Sequence, residues 1–156
     1  MATINAAISV TSDVTGYSTT INNAMTMTKA GTIAGLDQAT GLVRKTLTST
    51  NEVDLLVVGA GVVADVSATK SAKLYIKNVN TDSSEYFTVG LGVPSGTATK
   101  QAFSVVADAT RSVEIGRLYS GDWMIIPWAA ASDEHDVFVK PSVSTSMVIE
   151  YMVFFE

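Results

Sequence analysis

Few residues in this sequence could do chemistry unaided. The single histidine, His135, stands inside Asp133-Glu134-His135-Asp136. An imidazole among carboxylates could ligate a metal or exchange protons near neutral pH. Four consecutive ionisable residues between apolar runs also make a solvated turn, where charge collects without being desolvated. The turn is the expected reading. Calcium held by Asp133, Glu134 and Asp136 is the alternative, and the segment lacks the full ligand loop of an EF-hand. Gly59-Ala60-Gly61 follows an apolar run, as a dinucleotide-binding turn would. Ala64 stands where the third glycine belongs, and Val62-Val63-Ala64-Asp65-Val66 is strand material rather than the helix N-terminus that phosphate needs. A hairpin turn is expected there instead.

With one histidine among abundant Ser and Asp, no nucleophile, base and orienting carboxylate can be singled out. The absence of cysteine removes thiolate chemistry and disulfides together. Asp108, Arg111, Glu114 and Arg117 alternate in sign but trace no clean helix face, so they read as surface ion pairs worth about 0–1 kcal/mol each. The expectation is a chain without catalytic residues, cofactor or metal.

Aromatic residues are the other candidates. Trp123 and Trp128, five apart in an extended segment, point to opposite faces, which leaves room for one to be exposed and anchor a partner or stack on a sugar, although a mostly buried Trp is the commoner case. Pro127 beside them confines that strand to a sheet edge or to its own end. Tyr75, Tyr86, Tyr151 and Phe155 complete the set of core or interface candidates.

The elements that must position these residues read as strands. From residue 51 onward, apolar runs recur about every ten residues, the spacing of a sandwich or barrel. They cover Val53 to Val58, Ala72 to Val79, Tyr86 to Leu91, Phe103 to Ala107, Ser112 to Tyr119, Trp123 to Trp128, Val137 to Lys140 and Met147 to Phe155. Turn formers separate them. Lys73 to Lys77 alternates, which directs Leu74 and Ile76 to a core and Tyr75 outward. Glu85 to Leu91 alternates likewise, with Phe87, Val89 and Leu91 on one side, and the two runs are expected to pair as a hairpin. The last run is apolar on both faces except at Glu150, so it should be a central strand.

Residues 1–50 are Thr- and Ser-rich and read as extended, an arm or sheet-extending segment ahead of an antiparallel β-sandwich or jelly-roll-like body over 51–156. One short helix from Leu36 to Lys45 is the exception, with Asp37 in its first turn and Arg44 and Lys45 in its last.

Composition narrows the function. The chain of 156 residues is 47% hydrophobic but only 16% charged, against about 25% in an ordinary globular protein. Much of the surface must therefore be uncharged polar or lie against other subunits. A net charge of −5 with scattered Lys and Arg argues against duplex binding. The N-terminal residues lack the basic start and apolar core of a secretory signal, and no apolar run reaches membrane-spanning length, so no membrane partner is expected.

Four stretches, Ala72 to Asn78, Gly121 to Trp128, Asp136 to Lys140 and Val148 to Glu156, resemble small β-sandwich virion structural proteins of tailed bacteriophages, of the cyanophage and marine-phage type. The resemblance implies a non-enzymatic subunit located in the virion and assembled in the host cytoplasm. Its implied partners are copies of itself, as a trimer, and the major capsid protein or another virion protein. Capsid decoration or cement is the leading reading. A neck, tail or fibre-adaptor subunit is the second, and a carbohydrate-binding module using an exposed Trp or Tyr is the alternative from another class. An extended 20-residue arm reaches on the order of 65 Å, enough to cross onto a neighbour.

Overall fold

A computed structural model describes residues 3–12, 19–28, 35–36, 38–57, 72–92, 113–128 and 136–155. All regular structure in these residues is β, in eleven strands: β1 (Asn5–Ser12), β2 (Thr19–Thr26), β3 (Gln38–Ala39), β4 (Val43–Leu47), β5 (Val53–Leu56), β6 (Ala72–Asn78), β7 (Tyr86–Leu91), β8 (Val113–Tyr119), β9 (Trp123–Trp128), β10 (Val137–Pro141) and β11 (Met147–Phe155). The expected strand at Phe103 to Ala107, the turn at Gly59 to Gly61, and Asp108 and Arg111 lie outside the described residues.

The body is an antiparallel sandwich. One sheet runs β5-β10-β7-β8; the other runs β11-β6-β9, with β3 and β4 sharing the second edge of β11. The pairs nest: β7 with β8, β6 with β9, β5 with β10 and β4 with β11. A four-strand strip folded back on the next four gives this order, which is a jelly roll. Period-2 alternation decides which side chains meet in the middle. Leu74, Ile76, Phe87, Val89, Val137, Val139, Ile149 and Val153 are all fully buried there, each worth about 1.5–3 kcal/mol on transfer from water.

The long apolar β11 is central, between β6 on one edge and β3 with β4 on the other. Pro127 lies on β9, the last strand of its sheet, where no further ladder needs its missing N–H.

Three expectations are corrected. β6 and β7 are not a hairpin: they belong to opposite sheets. The reason is the junction at Asn78 and Asn80. The Asn80 side-chain amide accepts from Val148 N–H at 2.9 Å and donates to Val148 C=O at 3.3 Å, ending the ladder on β11 as a backbone unit would. Buried Asn78 donates from Nδ2 to Leu118 C=O at 3.0 Å, bonding the chain to the opposite sheet. The connection then turns at Asp82, whose Oδ1 accepts from Ser84 N–H at 2.9 Å.

Second, Leu36 to Lys45 is not a helix. β3 falls within it and β4 begins within it, so the body's sheet begins at Gln38, inside the segment read as arm or sheet extension. Gly41 breaks the pair at φ 80°, a conformation open to glycine. Thr40 spans the break, its N–H donating to Val153 C=O at 2.9 Å and its Oγ1 accepting from Val153 N–H at 3.1 Å. Third, Asp136 is not in a solvated turn. It is buried at 5% exposure, and its C=O accepts from Gly92 N–H at 2.8 Å.

Candidate assembly surface

β1 and β2 form a two-stranded hairpin that, among the described residues, pairs with no other strand. Its register puts Asn5 opposite Thr26, Ala7 opposite Ala24, Ser9 opposite Asn22 and Thr11 opposite Thr20. Residues directly opposite share a face, so this face is polar or small. Ser9 Oγ donates to Asn22 Oδ1 at 2.6 Å and Thr26 Oγ1 to Asn5 Oδ1 at 2.8 Å. The other face holds the pairs Ala6 with Met25, Ile8 with Asn23 and Val10 with Ile21. Ile8, Val10, Ile21 and Met25 are 41–57% exposed.

The hairpin is therefore amphipathic, with its apolar face in water. An isolated two-stranded hairpin is at best marginally stable. Covering the exposed half of these four side chains is worth roughly 3–6 kcal/mol, from about 1.5–3 kcal/mol per fully buried residue. At its root, Met27 and Leu36 are buried, and the chain is stitched by Met27 N–H to Ile4 C=O at 2.8 Å, Ile4 N–H to Leu36 C=O at 3.0 Å and Leu36 N–H to Met27 C=O at 2.8 Å. No charged residue occurs in 3–12 or 19–28, and the shallow depression on the hairpin, lined by Ala6, Ala7, Ala24, Met25, Asn5 and Thr26, has nothing that titrates. The chemistry on offer is contact.

No family model, curated protein or solved structure matches this chain. The surface is therefore read from its own residues. The six aromatic candidates do not form one site. Trp128 is 3% exposed and part of the core, with Tyr151 and Phe155, so of the two tryptophans it is Trp123, at 47% exposure, that is open to stacking on a ligand. Tyr86 is half-buried on the other sheet, its ring 5.2 Å from that of Tyr119 and 4.6 Å from the Arg117 guanidinium, a cation–π arrangement.

Trp123 and Tyr75 do share a surface, the outer face of the sheet containing β11. Register places Trp123 beside Lys77, Ile125 beside Tyr75 and Met152 on the other side of Tyr75. Glu150 lies buried in this face, accepting from Arg44 Nε at 2.8 Å and from Tyr75 OH at 3.5 Å. The Arg44 side chain is 67% exposed, so solvent screening leaves the pair near the low end of about 0–1 kcal/mol.

Burial holds the Tyr75 hydroxyl above its ordinary pKa, reinforced by the adjacent Glu150 charge, and burial alone does the same for Tyr151. Both phenols are thus harder to ionise folded than unfolded. Their contribution is fully present below about pH 10 and is lost as pH rises through the folded values. Denaturant midpoints measured from pH 8 upward should fall above pH 10, and the fall should be shallower in Tyr75→Phe with Tyr151→Phe.

The hairpin residues were not among the aromatic candidates. Their signal was present: Ala6, Ile8 and Val10 alternate with Asn5, Ala7, Ser9 and Thr11 at the period of a half-buried strand. His135, Asp133 and Glu134 lie outside the described residues. Among the described residues no three His, Cys, Asp or Glu side chains come together as metal ligands.

Proposed function

We propose that this protein is a non-enzymatic structural subunit of a virion, a capsid decoration protein that binds the major capsid protein and copies of itself and stabilises the shell. The observation that carries the reading is the β1–β2 hairpin, whose uncharged apolar face, Ile8, Val10, Ile21 and Met25, stands in water and takes no part in the jelly-roll core cluster. Exposed contiguous apolar surface on a folded body marks an interaction site. The jelly roll is shared by capsid and lectin domains, and the phage-protein resemblance of residues 72–156 inclines the reading toward the former. Trp123 favours the alternative from another class, sugar binding, by its exposure alone.

The test is co-sedimentation with empty shells. The parent protein should bind and raise the temperature at which the shells rupture. Ile21→Asp with Met25→Asp should bind about a hundredfold more weakly, the effect of roughly 3 kcal/mol at 1.4 kcal/mol per tenfold. Failure of the parent to bind, or shells equally heat-resistant without it, sinks the proposal. A glycan-array signal abolished by Trp123→Ala would move the assignment to a carbohydrate-binding module.

A further inference from the structure

Two lysines on the outer face of the β11 sheet have no acid to answer them. Strand register carries Arg44, Glu150, Lys77 and Trp123 across four strands in one row, with Tyr75 in the next row and Lys73 in the one after. Glu150 is the only carboxylate in these rows, and Arg44 Nε and Tyr75 OH already bond it, at 2.8 and 3.5 Å. Lys73 and Lys77 are half-buried, and among the described residues neither has an ion-pair or hydrogen-bond partner. In a chain of net charge −5, two uncompensated cations on one strand favour an anion. The row between them is apolar: Met152, Tyr75 and Ile125 are half-buried in register, on a face that in a sandwich is ordinarily polar. The exposed residues of β8 offer no such continuous face. Val113 lies opposite Leu91 and Tyr119 opposite Tyr86, with Ile115 at the register shift between them. Leu91 and Tyr86 are five apart in β7 and point to opposite sides, so the apolar side chains of β8 are divided, and a bulge of this kind guards an edge.

We propose that this face binds an extended acidic segment of a partner protein, with two carboxylates four residues apart and an apolar residue midway. The spacing comes from β6. Lys73 and Lys77 are four residues apart on that strand, about 14 Å at about 3.4 Å per residue. A segment laid along β6 in extended form has the same rise, and its residues i, i+2 and i+4 share one side. Carboxylates at i and i+4 then reach the two ammonium groups, while the side chain at i+2 meets Tyr75, Ile125 and Met152. The arrangement is complementary in charge at both ends and apolar between them. A second copy of this chain does not supply the segment, because no two of its Asp and Glu residues are four apart. The occupant is therefore a different protein. This rests on the shell-binding reading above and names the chemistry of a second attachment: the contact is small, and gains its effect by adding to the hairpin contact on the same partner.

The probe is a synthetic peptide, Gly-Glu-Ser-Leu-Ser-Glu-Gly, blocked at both ends and titrated into the whole protein at low salt, without shells, with binding followed by NMR. It should bind at millimolar concentration and shift the signals of β6 and β9, the Trp123 indole N–H among them. An isomer of the same composition with its two glutamates adjacent should bind about tenfold more weakly, as should the parent peptide to Lys73→Gln with Lys77→Gln, the loss expected for two exposed ion pairs. That variant should keep its urea midpoint, since these lysines have no partner to lose. At about 1 M salt, where the screening length falls to about 3 Å, the difference between the peptides should vanish. Equal binding of the two isomers, or undiminished binding by the lysine variant, would overturn the proposal. Preference for anionic phospholipid vesicles over the peptide would overturn it in favour of a lipid surface. The peptide assay contains no shells, so a parent that takes the peptide but not the shells refutes the capsid reading, and one that takes the shells but not the peptide refutes this one.

Discussion

Asn78→Ala is expected to destabilise the protein by about 2–4 kcal/mol, since each buried polar group left without its partner costs about 1–3 kcal/mol. Asn78 is fully buried at the end of β6. Its Nδ2 donates to Leu118 C=O on the opposite sheet at 3.0 Å, and its Oδ1 accepts from Asn80 N–H at 3.0 Å. Its own backbone meets the β8–β9 turn, accepting from Gly121 N–H and donating to Asp122 C=O, both at 3.0 Å. Alanine keeps the backbone bonds and deletes the side-chain ones, so the loss measures the bond between the sheets together with the local bond to Asn80. Asn78→Asp separates donor from shape. Its carboxylate is isosteric but cannot donate to Leu118 C=O, and it is buried, which raises its folded pKa above the unfolded value near 3.9. Its stability should therefore be greatest below that unfolded value and fall as pH rises through the folded one. Equilibrium unfolding at pH 3 and pH 7 checks this: if Asn78→Ala costs under 1 kcal/mol, the asparagine does not hold the sheets together.

The same junction explains which parts of the fold were legible in the sequence. Strand positions followed from period 2, because alternation at Leu74 and Ile76 directly records one wet and one dry face. Pairing did not. Neighbouring strands pair more often than not, so β6 and β7 looked like a hairpin, and only the side-chain bonds of Asn78 and Asn80 turn the chain to the other sheet. Those bonds depend on Leu118 and Val148, which are 40 and 68 residues away from their partners. No local pattern carries that information.

Leu36 to Lys45 failed for a related reason. Its end charges suit a helix, but β11 needs a partner along that edge, and a chain broken at Gly41 and repaired by Thr40 supplies it. Tertiary demand overrides weak propensity there. The hairpin face was the opposite case: its alternation is local, but the surrounding Thr and Ser masked it as general extended character, and its exposure emerged only from the register of β1 on β2. Trp123 and Trp128 were separated correctly by parity, while parity could not say which of them was buried. The answer comes from Trp128 lying beside Ala72, a core residue, and Trp123 beside the half-exposed Lys77.

Gly90→Ala should be at least as damaging, near or above the upper end of the roughly 1–3 kcal/mol typical of overpacking. Gly90 lies opposite Phe138 in the β7–β10 ladder, at an irregularity in the β7–β8 register between Val89 and Gly90. A methyl group there would stand 2.0 Å from Phe138 Cζ and 2.6 Å from the Val113 carbonyl oxygen. Carbon atoms settle at about 3.5–4.0 Å, so something must move by more than an ångström. Phe138 has nowhere to go, being fully buried, and the Val113 oxygen belongs to the backbone of the edge strand β8. Truncating Phe138 alone should cost about 3–5 kcal/mol through lost burial and a cavity. Combined with Gly90→Ala, it removes the ring clash and leaves only the carbonyl, so the double variant should be more stable than the sum of the two losses. Urea unfolding of the two single variants and the double closes the cycle. Strict additivity would mean that the strain lies entirely against Val113, and that β8, rather than the aromatic ring, dictates glycine at this position.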